Sequence, residues 1–394
     1  MARLMDSEKI FPHMVEVRRA IHEHPELAFE EVETARRIIE ELERLGLPYE
    51  YGGEGSAVIG RLQVDEDLPT VALRAEMDAL AGEESTGLPF SSKVEGVVHA
   101  CGHDAHMAMV LGAAEMLVGD RPPGNVVFVF QPAEERGGGA RVALKSDQMN
   151  DVEAVFAGHV TRKNHVGEIT VGDDVITAQS DGFSIHVKGR GGHGARPHEG
   201  IDAVIIAGSL INAVQTLVSR ELNPVYPSVI TIGHIEAGTA ANVIAERAVL
   251  EGSIRTTHPR IRKHVHRGLE RMAAALSELH GAQIDVEIRP GYPPVVNTPR
   301  ETDMARRAAR RIVGQDCLRQ MEHPSMGSED FAYFLEEFPG AYVRFGARQK
   351  GEDHIALHSP SFTVDESVLK VGAAYFDEVS REALRELAPG SERE

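Results

Sequence analysis

The pattern of apolar and polar positions changes character along the chain. Near the start, "EEVETARRIIEELERLG" puts Val32, Ala35, Ile38, Ile39 and Leu42 at helical spacing and stops at Gly46, which predicts an amphipathic helix. Short unbroken apolar runs follow. "TVALRA" (70–75), "NVVFVFQ" (125–131) and "EAVFAGHV" (153–160) predict strands buried on both faces, because such strands have no solvent side to carry polar residues. Between the first two, "DAHMAMVLGAAEMLVG" (104–119) predicts a buried helix. This alternation implies an α/β fold with a mostly parallel sheet.

After Asp181-Gly182 the period changes. "FSIHVKG" alternates like a strand, and "GIDAVIIAGSLINAVQTLVS" (200–219) reads as a helix. "SVITIGHI" (228–235) and "AVLEGSIR" (248–255) read as strands, 262–281 as a helix and "IDVEIRP" (284–290) as a strand. The order βαββαβ predicts a ferredoxin-like unit. "GYPPVVNTP" (291–299) reads as a return linker, after which helix and strand resume. The expected organisation is a main domain in two parts, 1–182 and 297–394, with an inserted domain at 183–296. Charge agrees: the insert holds twelve Lys and Arg against ten Asp and Glu, while the whole chain carries −20.

At 394 residues the chain exceeds one ordinary core, and 42% hydrophobic with 26% charged residues fits a soluble globular protein. The net charge argues against nucleic acid or an anionic membrane as partner, since both need a basic face. No apolar run is expected to span a bilayer, and the first 29 residues lack the apolar core of a secretory signal. With two distant cysteines, Cys101 and Cys317, these features point to a reducing cytoplasm.

Candidate chemistry gathers where the apolar strands end. The first runs into Glu76-Met77-Asp78, the second into Ala133-Glu134-Glu135 and the third into His159. Ligands of parallel sheets sit at the carboxyl ends of the strands, so these clusters are expected around one site. "HACGHDAH" (99–106) adds Cys101 and His103 just before the buried helix. Thiolate, imidazole and carboxylate together suit zinc, cobalt, nickel or manganese better than magnesium or calcium. Glu134 and Glu135 are adjacent, so on extended backbone they diverge; one can bind metal while the other serves as a base. Other readings stay open on spacing alone: Cys101 as a small buried residue, a redox thiol or part of a structural zinc site. His22, His24, His99 and His106 read as supporting residues, and "GGHGARPH" (191–198) lacks the ending of a nucleotide-binding loop.

Seven motifs occur in order: "RRAIHEHPELAFEEVET", "RAEMDAL", "HACGHDAH", "QPAEERGGGA", "GGHGARPHEGIDAV", "GSEDFAYFLEEFPGAY" and "LHSPSF". Together they resemble the N-acyl-amino-acid amidohydrolases, which include aminoacylase-like enzymes, hippurate hydrolases and plant auxin-conjugate hydrolases and are related to zinc carboxypeptidases with a lid domain. The resemblance implies a catalytic α/β domain with an inserted ferredoxin-like lid through which the chain forms a homodimer or a dimer-based oligomer. It implies two divalent transition-metal ions, zinc or manganese first and cobalt or nickel next. Cys101 would bridge them, with His103, Glu135, His159 and His358 as the other ligands and Asp78 beside them. Glu134 matches the general base, and His193 a lid histidine that reaches the active site, commonly the partner subunit's. Asn242 and Arg255 match lid residues for the substrate's carboxylate.

The expected activity is hydrolysis of the amide of a small N-acyl amino acid. A dipeptidase or carboxypeptidase is the alternative within the same chemistry, and a non-catalytic metal- or ligand-binding protein the alternative outside it. The chain departs from the usual motifs at Glu76, Ala81 and Ala245. It also lacks the usual proline-rich stretch after His159, in 160–168.

Overall fold

The computed structural model describes residues 2–388 and divides into two compact units. The first comprises residues up to Ile176, Val296–His323 and the chain from Glu329 onward. Its eight-stranded sheet runs in the order Tyr49–Tyr51, Val58–Leu62, Asn125–Gln131, Thr70–Glu76, Val152–His165, Gly340–Arg348, Ile169–Val171, Leu318–Gln320. The three central pairings and the one at the Leu318–Gln320 edge are parallel, and the other three are antiparallel. Strands Thr70–Glu76 and Asn125–Gln131 are buried at every position, as their unbroken apolar character predicts. Strand Val152–His165 runs further than the expected 153–160, because its pairing with Gly340–Arg348 continues to His165.

Helix His103–Gly119 is buried along almost its whole length, between the sheet and helices Ala2–His22 and Val368–Leu387. Small residues permit that close packing: a Cβ at Gly112 would meet the Met14 sulfur at 2.4 Å. Helix Ala2–His22 was not expected. Its buried positions include Ser7, Arg18 and His22 beside Met14 and Ile21, so the inward stripe is not apolar. In helix Val32–Arg44 the predicted face buries Ala35, Ile38 and Leu42, but Val32 stands 43% exposed in the first turn.

The second unit comprises Thr177–Val295 with Pro324–Ser328, beside the 183–296 read from the sequence. Its antiparallel sheet has the order Ser228–Ala237, Arg247–Thr256, Gln179–Lys188, Gln283–Pro290. Helices Ala203–Thr216 and Pro259–His280 pack on each other and on the sheet. The chain order βαββαβ with this strand order is ferredoxin-like. Asp202 caps the first helix by accepting the Val204 N–H at 2.9 Å, and Gly281, at φ +65°, ends the second. A separate core of Phe183, Ile185, Leu210, Leu250, Ile254 and Leu269 holds the unit together. Full burial of one such side chain contributes about 1.5–3 kcal/mol.

One expectation needs correction. The 19-residue helical stretch Ala203–Glu221 is long and apolar enough to cross a membrane by length and composition. In this fold one face of it packs in the second unit, burying Ala203, Ile206, Ala207, Leu210, Val214 and Leu217, while Val204 and Ile205 on the other face are exposed.

Candidate metal centre

Three strands of the first unit deliver side chains to one place. Strand Thr70–Glu76 leads to Asp78, which is fully buried. Strand Asn125–Gln131 leads to Glu134 and Glu135 through Ala133, which adopts φ +52°. The Ala133 N–H donates to Glu31 Oε1 at 2.8 Å, fixing a backbone conformation uncommon for a residue with a Cβ. Strand Val152–His165 carries His159 within its length.

Cys101 and His103 flank Gly102, whose φ is +94°. Any side chain there would be strained, and its Cβ would lie 2.5 Å from Val160 Cγ2. Glycine is what turns the chain so that Cys101 and His103 meet in one donor cluster. His358 is itself at φ +66°, and its backbone N–H donates to Ala100 O at 2.9 Å.

The donor atoms form overlapping groups, each within 4.8 Å: Cys101, His103 and His159; Cys101, Glu135 and His358; and His103, Glu134 and Glu135. The first two share the Cys101 sulfur. His159 Nδ1 donates to Val160 O at 2.7 Å, which leaves its Nε2 lone pair facing Cys101 Sγ at 3.2 Å. His103 Nδ1 donates to Asp78 O at 2.8 Å, and its Nε2 is buried with no hydrogen-bond partner among the described residues. Asp78 does double duty, since its Oδ2 accepts the Glu135 N–H at 2.9 Å. Such outer hydrogen bonds orient a ligating imidazole and carboxylate. Glu135 Oε1 lies 3.1 Å from His358 Nε2.

The electrostatics are those of a site built for cations. Burial, together with the Glu135 and Glu134 carboxyls, pushes the Cys101 thiol well above its ordinary range. Burial lowers His103, but the hydrogen bond to Asp78 and the charges of Glu76, Asp78 and Glu135 outweigh it and raise the imidazole to about 10. A positive ion among these donors would favour the thiolate and neutral imidazole that ligation needs. The soft sulfur, the imidazoles and one carboxylate suit a transition metal.

Beneath the cluster lies a buried polar network that sequence reading missed. Arg74 pairs with Glu76, Glu329 and Asp330. Glu329 also accepts from the Tyr342 hydroxyl, and Asp330 accepts from Gln131 Nε2 and the Ala140 N–H. Glu134, Glu329 and Asp330 bring carboxylate oxygens within 4.8 Å of one another. Burial first, then Glu329, Glu135, Asp330 and Asp78, hold the Glu134 carboxyl well above the usual carboxylate range. "GSEDF" was visible as a motif, but nothing in it told that Glu329 and Asp330 would face Arg74. Of the histidines read as supporting, His22 and His106 find partners, whereas neither ring nitrogen of buried His99 has a hydrogen-bond partner among the described residues. His22 bonds Asp104 at 2.9 Å, and His106 donates to Glu76 at 2.8 Å while accepting the Val160 N–H at 3.0 Å.

His193, Asn242 and Arg255 belong to the second unit. His193 lies in the two-residue strand Gly192–His193, paired with Val243–Ile244, and Asn242 O accepts the Gly194 N–H at 2.8 Å. Both residues are exposed. His193 Nδ1 accepts the Ala195 N–H at 3.1 Å, so the neutral ring carries its proton on Nε2. Arg255 is half-buried and donates to Ser328 Oγ at 2.9 Å. No carboxylate pairs with it among the described residues, and burial lowers its pKa.

Comparison with known proteins gives the family. The family model for peptidase family M20/M25/M40 matches residues 72–382. The chain is 38% identical to N-acetylcysteine deacetylase of Bacillus subtilis, over 95% of this chain and 98% of that one. It is 39% identical to thermostable carboxypeptidase 1 of Saccharolobus solfataricus, covering 93% and 94%. A crystal structure of the Bacillus subtilis YXEP protein, a dinuclear metal binding peptidase from the M20 family, superposes with a TM-score of 0.84 at 35% identity, covering 96% of this chain and 99% of that one. The chain belongs to peptidase family M20/M25/M40 and is an amide-bond hydrolase.

Proposed function

We propose that the protein hydrolyses the amide bond of N-acyl amino acids, using two divalent transition-metal ions. The observation that carries this reading is the pair of donor groups sharing Cys101, with Glu134 beside them. Cys101, His103 and His159 would hold one ion, and Cys101, Glu135 and His358 the other. The ions, when bound, lower the pKa of water and polarise the amide carbonyl. Zinc or manganese fits first and cobalt or nickel next, given the mixed donors.

The chain's own residues do the rest. Glu134, beside the donor groups but outside the pair that shares Cys101, would take the water's proton and pass it to the leaving amine. Asp78 holds His103 and Glu135 in place. His193 offers its Nε2–H to the developing oxyanion, in this subunit or across a homodimer formed through the second unit. Arg255 and Asn242 receive the free carboxylate of the amino acid. A half-buried guanidinium without an acidic partner is suited to that role. Arg255→Lys is expected to raise KM about tenfold or more while kcat changes less, because lysine cannot reproduce the two-point grip. Michaelis curves on one substrate check it.

A carboxypeptidase is the second reading, favoured by the 39% identical relative and using the same carboxylate grip. A panel of acetyl- and benzoyl-amino acids against free dipeptides, read by release of amine, separates the two. Turnover of the acyl-amino acids with little on dipeptides is the expected result; the opposite preference supports the second reading. Metal bound with no turnover on any amide would leave a binding protein. A cytoplasmic setting is proposed on the two free thiols, Cys101 and Cys317.

A further inference from the structure

The two proposed halves of the centre are anchored differently. Cys101, His103 and His159 are all buried, on the sheet and at the start of a core helix. His358 is half exposed and sits in the segment 349–360, most of whose residues face solvent. Its position is also a strained one, at φ +66°. The His358 N–H bond to Ala100 O fixes one point of this segment; its two stems must be held as well if His358 is to meet a metal at a fixed distance.

Arg162 is placed to do so. It lies three residues beyond His159 on strand Val152–His165 and is 3% exposed. Its Nη1 donates to Thr363 O at 2.8 Å, after His358 in the chain. Its Nη2 donates to Glu352 Oε2 at 2.9 Å and to Asp353 O at 3.0 Å, before His358. One guanidinium therefore clamps both stems of the loop to the strand that carries His159. Arg162 falls in the 160–168 stretch, where this chain lacks the usual proline-rich sequence.

We propose that Arg162 is a positioning residue that seats His358, so that a single strand registers both halves of the metal centre. The inference rests on the reading of His358 as a ligand. Lysine has one nitrogen on a flexible stem and cannot serve three acceptors on two stems.

The test compares wild type, His358→Ala, Arg162→Lys, Arg162→Met and Glu352→Ala, each loaded with manganese or zinc and dialysed. Metal per chain and amide hydrogen exchange of peptides covering 349–363 are measured. Glu352 is surface-exposed, so its variant keeps the fold if the Arg162 variants do not. Expected are two ions in wild type and one in His358→Ala. In the Arg162 variants the second ion should be held at least about tenfold more weakly, the factor that loss of a charged hydrogen bond brings. Exchange in 349–363 should quicken while strand 152–160 keeps its protection, and Glu352→Ala should show a smaller change in the same direction. If His358→Ala loses an ion while the Arg162 and Glu352 variants retain two, the inference fails alone, whether or not the loop exchanges faster. If His358→Ala retains two ions, the ligand reading of His358 fails and the inference with it.

Discussion

Glu134→Gln is expected to keep both metal ions and to lose about 10²–10⁴ in kcat, the contribution of a well-placed acid–base group. Glutamine matches the carboxylate in size, so the buried site need not repack. It cannot accept a proton from water, however, or return one to the amine. The surroundings make the contrast sharp. Glu329 and Asp330 crowd the Glu134 carboxyl, while Arg74 offsets their charge from below. Replacing a carboxyl that its acidic neighbours already hold toward the neutral form by a neutral amide of the same size should not harm folding. Metal content by mass spectrometry and kcat on the best N-acyl amino acid decide the matter. An enzyme with full activity would remove Glu134 from the mechanism, and one without metal would make it a ligand instead.

Cys101→Ala is expected to weaken both ions together rather than one. Its sulfur belongs to both donor groups, whereas His159 belongs to one and His358 to the other. Losing only a hydrogen-bonding neighbour of a ligand costs about 10–100-fold in metal affinity, so losing a shared ligand should cost at least the upper end of that range. Competition with a chelator measures it for each ion. His159→Ala is the useful companion, because it should affect one ion far more than the other. Unchanged retention of both ions by Cys101→Ala would take the thiol out of the centre.

The sequence carried the frame of the sheet because the central strands are buried on both faces and therefore written in apolar residues. It carried Glu134, Glu135 and His159 as candidates because each lies at or just beyond an apolar strand, and Cys101 and His103 because they lie just before a buried helix. His358 entered only by resemblance, since its loop has no periodicity to read. Helix Ala2–His22 escaped because Ser7, Arg18 and His22 occupy its inner face, where a hydrophobic stripe would have revealed it. Arg74, Glu31 and Arg162 escaped for a related reason. Their partners, Glu329 and Asp330, Ala133 and Thr363, are brought together only by the folded backbone. Charged residues that are buried in pairs look, one at a time, like surface residues.

The second unit has a hydrophobic core of its own, distinct from the core behind the metal donors. His193, Asn242 and Arg255 are mounted on that independent body, while Cys101, His103, Glu134, Glu135, His159 and His358 are mounted on the other. Over evolutionary time, substitutions can then accumulate around the groups proposed to recognise substrate without disturbing the packing that fixes those proposed to react. A lineage built this way can change its diet by drift in one body while the bond-breaking apparatus is inherited intact.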